Sequence, residues 1–437
     1  MQNLPTLYVA IPAMDELDYL PKTLQAIENQ RCDYPVQLFV CVNQPDEWWQ
    51  ISEKRIICER NQQLLAWLHN YKNLKINIID YSSPKKGWSK KSYGVGWARK
   101  ILFDTILQIA DNQDIIISLD ADTLFNPDYF TSIGDNFREQ PNLTVISMPY
   151  YHRLTDDERA DRAILRYEIY MRNWLLSMHR IESPYAFTAI GSAIALKVNA
   201  LRLIGGITPM KSGEDFYLLQ KLCKMSPVSN YNREMVYPAA RFSDRVEFGT
   251  GPAMLKGANG HWESYPIYHN SLFREIEEAY HLIPKLFKQD IEHPFFDFVR
   301  ERSGKPDLWQ LLRDNFREPT KFERAFHANA DGLRILQYMK EFHNKTQNDD
   351  LQSLAENMRW YHAIKPRPYP PAITRLADLP VAQLSAIREA LFLREQEVRG
   401  RDAVRHSLSV EKMPPLYSAL RLRRFAVLVA QLLIHNQ

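Results

Sequence analysis

The segment from Ile115 to Asp128, IIISLDADTLFNPD, passes from an apolar run into two carboxylates, Asp120 and Asp122, that are separated by one residue. The apolar run predicts a buried strand, and a lone carboxylate is costly to bury, so the two acids need a cation partner or a place at a cleft. Side chains at i and i+2 of an extended segment point the same way. Both acids can therefore bind one divalent cation, Mg²⁺ or Mn²⁺, that carries a phosphate-bearing ligand. The alternative is an Asx turn that Asn126-Pro127 closes.

Strands and helices alternate on the N-terminal side of this segment. Apolar runs predict four strands and helical spacing predicts the helices between them: strands at Leu7–Pro12, Gln37–Val42, Lys75–Tyr81 and Asp114–Leu119, and helices at Leu20–Gln30, Trp48–Tyr71 and Ser92–Ala110. This alternation predicts an α/β fold with a mainly parallel sheet flanked by helices. Ligands of such sheets bind at the carboxyl ends of the strands, where Asp15, Asp80 and Asp120 fall.

The pattern changes on the C-terminal side. Leu143–Met148 predicts a fifth strand, Asp156–Ser183 a long amphipathic helix, and Ala186–Val198 a strand around a Gly-Ser break. Beyond about residue 270 the spacing is helical, as in Asp307–Phe316 and Val381–Gly400, and a proline-rich link interrupts it at Lys365–Pro371. We therefore expect one domain over residues 1–270 and a mostly helical C-terminal accessory region over residues 271–437.

The composition limits the location and the partners. The chain has 437 residues, is 45% hydrophobic and 24% charged, and carries a net charge of +3, which is typical of a globular protein and gives no reason to expect nucleic acid binding. Its four cysteines form no C-x-x-C pair and predict neither a zinc site nor a disulfide framework. Because the sequence shows neither a signal peptide nor an apolar run long enough to span a bilayer, we expect a cytoplasmic protein.

Three classes of enzyme are compatible with the acidic pair alone. Asp120-Ala121-Asp122-Thr123 is similar to the DxDxT string of haloacid-dehalogenase phosphatases, with the threonine one position early, but these enzymes carry it on the first strand, and here it follows about the fourth. A nucleotidyltransferase would share the architecture, but would open with a glycine-rich basic loop that Ala13–Glu16 does not supply. In nucleotide-sugar glycosyltransferases a DxD motif holds a metal and the diphosphate. The acidic pair alone does not distinguish these classes, so further segments of the sequence are needed.

Further segments resemble the family 2 glycosyltransferases with the GT-A fold. The resemblance covers about residues 5–250 and is carried, in order, by VAIPAMDE at Val9–Glu16, Asp80 at a strand end, GWSKKSYG at Gly87–Gly94, GSAIALK at Gly191–Lys197, LIGG at Leu203–Gly206 and GEDF at Gly213–Phe216. Met14-Asp15 departs from the usual IPxxNE, and lysines replace smaller residues in GWSKKSYG. The resemblance implies a Rossmann-like GT-A domain with a mixed, mainly parallel sheet, and inverting transfer from a nucleotide sugar.

The resemblance also implies roles for residues on the donor side. Donor-binding residues would be Pro12, Asp15 and Glu16 in the opening strand, Asp80 against the base, Lys90 in the basic turn, and Asp120 at the ribose or a metal-bound water. Asp120 and Asp122 would hold Mn²⁺ or Mg²⁺, with His261 or His269 as the third ligand. Arg241 or Arg245 would clamp the diphosphate, because guanidinium groups offer paired donors; ordinary surface arginines are the alternative.

On the acceptor side the resemblance points to Gly191 and Ser192 as acceptor-binding residues. Asp215 is the expected general base for an acceptor hydroxyl, with Glu214 as the alternative. Both acids begin a predicted helix, so stabilisation of that helix end is the competing interpretation.

The sequence therefore predicts a metal-dependent hexosyltransferase that moves one sugar from a UDP- or GDP-sugar to a glycan or lipid-linked acceptor. Processive synthases of the family carry a Gln-x-x-Arg-Trp motif and membrane spans, and the sequence has neither. Near the C-terminus, Leu420–Ile434 places arginines before an apolar run too short to span a bilayer. This segment predicts either a buried terminal helix or a peripheral contact with the inner face of the cell membrane.

Overall fold

A computed structural model describes residues 4–89, 92–243, 249–343, 349–362 and 375–408, with side chains to residue 401. Its sheet begins with four parallel strands in the spatial order β3-β2-β1-β4: β1 (Leu7–Ala13), β2 (Val36–Asn43), β3 (Ile76–Tyr81) and β4 (Ile115–Ser118). Every residue of β1 and β4 is buried, as expected of central strands covered on both faces. The predicted strands are confirmed, and the acidic pair follows β4 directly.

Helices α1 (Leu20–Glu28), α2 (Ser52–Asn70) and α3 (Val95–Leu107) connect these strands. The predicted helix Trp48–Tyr71 is interrupted, because Ile51 has an extended backbone between a 3₁₀ turn at Asp46–Gln50 and α2. The predicted helix Ser92–Ala110 begins later, at Val95, since Gly94 has a φ of 110°. A Cβ atom at Gly94 would lie 2.9 Å from the carbonyl oxygen of Lys211, so only glycine allows this approach.

The sheet is completed by two antiparallel strands. After β5 (Thr123–Phe125) the chain forms β6 (Val145–Ser147) and β7 (Ile194–Lys197), and β7 lies between β4 and β6. The predicted strand Ala186–Val198 is wrong for its first eight residues, which run as an irregular segment along a cleft. Within that segment Thr188 O accepts a hydrogen bond from Ser147 Oγ of β6, and Ala193 N donates to Ile190 O. These backbone groups are therefore satisfied by a side chain and by a turn, and not by a neighbouring strand.

Strand β5 pairs with a late strand, β8 (Val236–Pro238), in a separate two-stranded sheet. Thr123, which follows Asp122 directly, is opposite Pro238 in this ladder. Because the pairing is antiparallel, the residues after β8 pass beside the acidic pair. A contact between Asp122 and the chain around residue 240 therefore follows from the register.

The remaining elements are helical, and the predicted helices Asp156–Ser183, Asp307–Phe316 and Val381–Gly400 are present. They are α4 (Tyr129–Glu139), α5 (Glu158–Arg180), α6 (Val198–Leu203), α7 (Glu214–Cys223), α8 (Thr250–Ala258), α9 (Asn270–Leu286), α10 (Pro294–Ser303), α11 (Leu308–Asn315), α12 (Pro319–Asn329), α13 (Gly332–Phe342), α14 (Asp350–Trp360) and α15 (Val381–Leu408). The predicted fold class, a mixed and mainly parallel sheet flanked by helices with a helical C-terminal region, is confirmed. The proline-rich link Lys365–Pro371 and the segment Leu420–Ile434 lie outside the described residues. Within the described chain, no helix is long and apolar enough to cross a membrane.

The C-terminal helices share a core with the sheet. One hydrophobic cluster contains Tyr8 of β1 and Phe39 of β2 as well as Leu391 and Val398 of α15. Helix α15 also lies along α5. The two parts of the chain therefore bury apolar surface against each other.

A buried ionic network joins α15 to α5. Arg172 donates to Glu395 Oε2 across the helix pair at 2.5 Å, and Arg399 donates to Glu395 Oε1 at 2.8 Å. Arg388 donates to Glu168 Oε2 at 3.3 Å. Burial by itself would raise the pKa of Glu168, but Arg172, His152 and Arg388 outweigh it and lower the pKa to about 2. Charges buried this completely are tolerated because each has several partners.

Arg172→Met is expected to destabilise the protein strongly. The substitution leaves Glu395 and Glu168 buried without their shared cation, and breaking a buried pair from one side costs about 3–5 kcal/mol. The free energy of unfolding in urea measures this loss. Arg302→Met is the matched control, because its partner Glu341 is exposed and such pairs contribute about 1 kcal/mol or less. Equal losses in the two variants would contradict the prediction.

Candidate active site

A cleft of about 520 Å³ opens at the carboxyl ends of β1 and β4. One group of lining residues consists of residues 12–14 and Glu16, at and just after the end of β1, together with Asp120 and Asp122; we call this group the first end of the cleft. A second group belongs to α5, α7 and α13, and we call it the second end. This is the edge at which open α/β sheets bind their ligands.

A buried arginine on α3 joins the two acidic motifs. The guanidinium of Arg99 bonds Asp120 through one terminal nitrogen and Glu214 through the other, and its Nε donates to Ser118 Oγ at 3.0 Å. Only 4% of its side chain is exposed. The pKa of Arg99 is raised: burial lowers it, but Asp120, Glu214 and Asp215 outweigh that effect. The DxD pair and the Glu-Asp pair are therefore held at a fixed distance by one cation.

Sequence reasoning missed Arg99, although a signal was available. Helix α3 buries Ala98, Leu102, Phe103 and Ile106, and helical spacing puts Arg99 on this same face. A charged residue on the apolar face of a helix requires a buried partner of opposite charge. That pattern would have indicated an ion pair without naming its partners.

The segment at Gly191 and Ser192 passes directly over the Arg99 guanidinium. A Cβ atom at Gly191 would lie 2.2 Å from Arg99 Nη2, so no other residue fits here without displacing the arginine. Ser192 is fully buried and lines the cleft, and its hydroxyl has no hydrogen-bond partner among the residues that the structure describes.

A second arginine holds the other acid of the DxD pair. Arg241 Nε donates to Asp122 Oδ2 at 2.8 Å, and Arg241 Nη2 donates to Glu16 Oε1 at 2.6 Å. The guanidinium also lies over the ring of Tyr19, 4.0 Å from its centre. Burial lowers the pKa of Arg241, but Asp122 and Glu16 outweigh it and raise the pKa. Arg241 thus lines the cleft, and it contacts two carboxylates that the sequence did not connect to it.

The carboxylates of Asp120 and Asp122 are the cleft's candidates for holding a divalent cation. His261 has 71% of its side chain exposed and its acidic neighbour Glu263 is 4.0 Å away, and His269 bonds Glu356 through Nε2 at 2.7 Å. Neither histidine lines the cleft. Among the described residues, no group of three His, Cys, Asp or Glu side chains is arranged to bind a metal. Two acids nevertheless fit Mg²⁺, which is commonly bound by one or two carboxylates and completed by phosphates.

The Glu214-Asp215 pair places its two acids in different environments. Glu214, the first residue of α7, is buried and bonds Arg99, and its Oε2 has no hydrogen-bond partner in the described chain. Asp215 is half-buried, lines the cleft and accepts a bond from Phe216 N at 2.8 Å. Burial raises the pKa of Glu214 to about 7, since Arg99 offsets this only in part and Asp215 adds repulsion.

Other predicted donor residues point elsewhere or are not described. Asp15 has a φ of 58°, and its carboxylate bonds Arg60 of α2. Asp80 accepts bonds at 3.0 Å from Ser82 N, Ser83 N and Lys86 Nζ. Burial alone would raise the pKa of Asp80, but these bonds lower it to about 2. Neither acid lines the cleft, and Lys90 and Arg245 lie outside the described residues.

The second end of the cleft was not foreseen from the sequence. Aromatic side chains of α5, among them Tyr170 and Trp174, line it together with Leu336 and Lys340 of α13. Their spacing indicated amphipathic helices, but spacing does not distinguish a face that packs in a core from one that borders a cleft. Their position depends on how the helices pack.

Gly191→Ala is expected to destabilise the protein and to disturb the site. The new methyl group overlaps the Arg99 guanidinium, and overpacking of this kind costs about 1–3 kcal/mol. Gly400→Ala is the control, because a Cβ atom at Gly400 meets nothing within 4 Å and alanine favours a helix. Urea unfolding compares the two. An unchanged stability of Gly191→Ala would show that Arg99 moves without cost.

Glu214→Gln is expected to remove a pH dependence of stability. The folded pKa is about 7 and the ordinary value is 4.5, so the native state holds a proton that the unfolded chain has released. The stability that this proton provides is complete below the unfolded value and is lost as the pH rises through the folded value. The shift corresponds to about 3 kcal/mol.

Urea unfolding of the wild type and of Glu214→Gln at about pH 5 and about pH 8 tests this prediction. The wild type should lose stability relative to the variant as the pH rises. Parallel pH profiles would contradict it.

Comparison with known proteins finds one family match that overlaps this site. Residues 115–264 match the family described as "Glycosyl transferase family group 2". No curated protein matches the sequence. The matched range contains the DxD pair, Gly191-Ser192 and the Glu-Asp pair.

Solved structures of one protein are similar to this chain at low identity. The crystal structure of S. aureus TarS 1–349 in complex with UDP-GlcNAc is 13% identical, with a TM-score of 0.40 over 78% of this chain and 92% of that chain. The corresponding complex with UDP has a TM-score of 0.39 at the same identity and coverage. A longer S. aureus TarS structure is 14% identical, with a TM-score of 0.36 over 60% of this chain and 44% of that chain. Likeness at this level adds nothing about function. The family match over residues 115–264 confirms the resemblance to family 2 glycosyltransferases that the sequence motifs indicated.

Proposed function

We propose that this protein transfers one sugar from a nucleotide-diphosphate donor to an acceptor hydroxyl, with inversion at the anomeric carbon. One observation carries the proposal: Asp215 and the Asp120–Asp122 pair line the same cleft, and Arg99 ties the two motifs together. The family match over residues 115–264 supports the same class of reaction.

The donor would occupy the first end of the cleft. Pro12 and Asn43, at the ends of β1 and β2, and Glu16, just after β1, line the cleft together with the DxD pair. Asp120 and Asp122 would hold Mn²⁺ or Mg²⁺, which would offset the charge of the leaving diphosphate as a Lewis acid. Arg241 fixes Asp122 and Glu16 in place, so we assign it the positioning of these carboxylates. We propose a UDP- or GDP-sugar as the donor.

Asp215 is the proposed base. Its carboxylate would take the proton of the acceptor hydroxyl while that oxygen bonds the anomeric carbon and the bond to the diphosphate oxygen breaks. Asp215 is favoured over Glu214 because Asp215 is half-buried beside the cleft, whereas Glu214 is buried and bonded to Arg99. General-base catalysis of this kind contributes about 10²–10⁴-fold in rate.

Nucleotide binding tests the proposal first. Thermal unfolding is measured with UDP, GDP, CDP and ADP, each with and without Mn²⁺. A ligand at 100 times its dissociation constant adds about 2.7 kcal/mol, which raises the melting temperature by several degrees. One nucleotide should stabilise the protein, and the part of its effect that needs Mn²⁺ should disappear in Asp122→Asn.

Asp128→Asn is the matched control, since Asp128 pairs with Arg31 at the surface outside the cleft. In Asp215→Asn, nucleotide binding should persist while turnover of the donor falls by about 10²-fold or more. If no nucleotide binds and a generic phosphate ester is hydrolysed, the proposal fails and the phosphatase interpretation of Asp120 returns.

A further inference from the structure

Two helix faces form the second end of the cleft. Tyr167, Tyr170 and Trp174 are three and four residues apart on α5, so they share one face. Gly332, Leu336 and Lys340 are spaced by four residues on α13 and also share a face. The C-terminal helical region therefore contributes a wall of the same cleft that contains Asp215.

Helix α13 is fixed directly to α7, the helix that carries Asp215. Leu333 N donates to Gln220 Oε1 at 2.8 Å, and Lys224 Nζ pairs with Asp331 Oδ2 at 2.5 Å. At Gly332 a Cβ atom would lie 3.5 Å from both the Phe216 ring and Tyr185 Cβ, so the start of α13 is in contact with the neighbour of Asp215. The wall is therefore in direct contact with the helix that carries the proposed base.

The lining of this end suits a saccharide. Tyr170, Trp174 and Phe216 are partly exposed, and aromatic faces pack well against the C–H faces of a sugar ring. Thr188, Ser192 and Ser212 also line the cleft, and their buried hydroxyls have no hydrogen-bond partner in the chain that the structure describes. Buried polar groups normally have a partner, and ligand hydroxyls can supply one. A saccharide itself presents apolar C–H faces beside hydroxyl groups, so the aromatic rings and hydroxyl groups of the cleft match it.

Lys340 places a positive charge at the cleft, which favours a ligand with a negative charge. It is exposed, lies eight residues after Gly332, about 12 Å along the helix axis, and makes no ion pair with a described residue. A cation in this position suits an anionic group on a ligand that reaches from Asp215 to the mouth of the cleft.

We propose that α13 completes an acceptor subsite for a saccharide bearing a phosphate or carboxylate group, with the sugar ring on the α5 aromatic face and the anionic group at Lys340. The inference rests on the proposed function, because it assigns the second end of the cleft to the acceptor. It also gives the C-terminal helical region a direct part in substrate recognition.

Saturation-transfer NMR with glucose, glucose 6-phosphate and glucuronate tests the subsite. In the wild type the two charged sugars should bind about two- to fivefold more tightly than glucose, the range for an ion pair in contact with water. Lys340→Ala should abolish this difference. Lys305→Ala, which removes an exposed lysine outside the cleft, should retain it. The charged sugar that binds more tightly identifies the anionic group.

Leu336→Trp provides an independent variant that fills the second end of the cleft with a larger side chain. It should weaken the binding of all three sugars, while the nucleotide-induced rise in melting temperature stays unchanged. The inference is overturned if glucose and the charged sugars bind equally to the wild type, if Lys340→Ala keeps the preference, or if inorganic phosphate displaces glucose 6-phosphate at equal concentration. Loss of nucleotide binding in the wild type would instead overturn the proposed function.

Discussion

The buried guanidinium of Arg99 is the contact around which the site is organised. An arginine in a protein interior is tolerated when its hydrogen bonds and its charge are satisfied, and Asp120, Glu214 and Ser118 provide this. Ser118 is the last residue of β4, Asp120 lies two residues beyond it, and Glu214 begins α7. The chain at Gly191 has to pass over the same group without a side chain. One cation thereby fixes the relative positions of a strand end, a helix start and a loop.

The difference in burial separates the roles of the acids around Arg99. Asp120, Glu214 and Asp215 all raise the pKa of the same arginine. Glu214 is the most buried of them, so its charged form is the costliest and its pKa rises to about 7. Asp215 remains beside the cleft. Two adjacent acids of one motif thus become a buried partner of Arg99 and a group that lines the cleft.

Helix α5 connects this chemistry with the C-terminal helices. Glu168 and Arg172 take part in the buried network with α15, whereas Tyr170 and Trp174 line the cleft. Residues 168 and 170 are about 200° apart around a helix, so the two sets lie on nearly opposite faces. The position of the aromatic face therefore depends on the ionic contacts behind it. Of the helices after residue 270, α15 packs against the face of α5 that is turned away from the cleft, and α13 lines the cleft.

Local periodicity in the sequence determined the four parallel strands, most of the helices and the place of the acidic pair at the carboxyl edge of the sheet. These features depend on the alternation of apolar residues over a few positions, which a single segment contains. The ordered motifs at Gly191, Gly205-Gly206 and Glu214-Asp215 further indicated the family. The tertiary structure alone decided the partners: Arg99 meets Glu214 across 115 residues and Arg241 meets Glu16 across 225. It also turned Asp15 towards Arg60, left Ala186–Ala193 irregular, and brought Lys340 to the cleft. Charge pairing and burial depend on which surfaces meet in three dimensions, and no spacing within one segment encodes that.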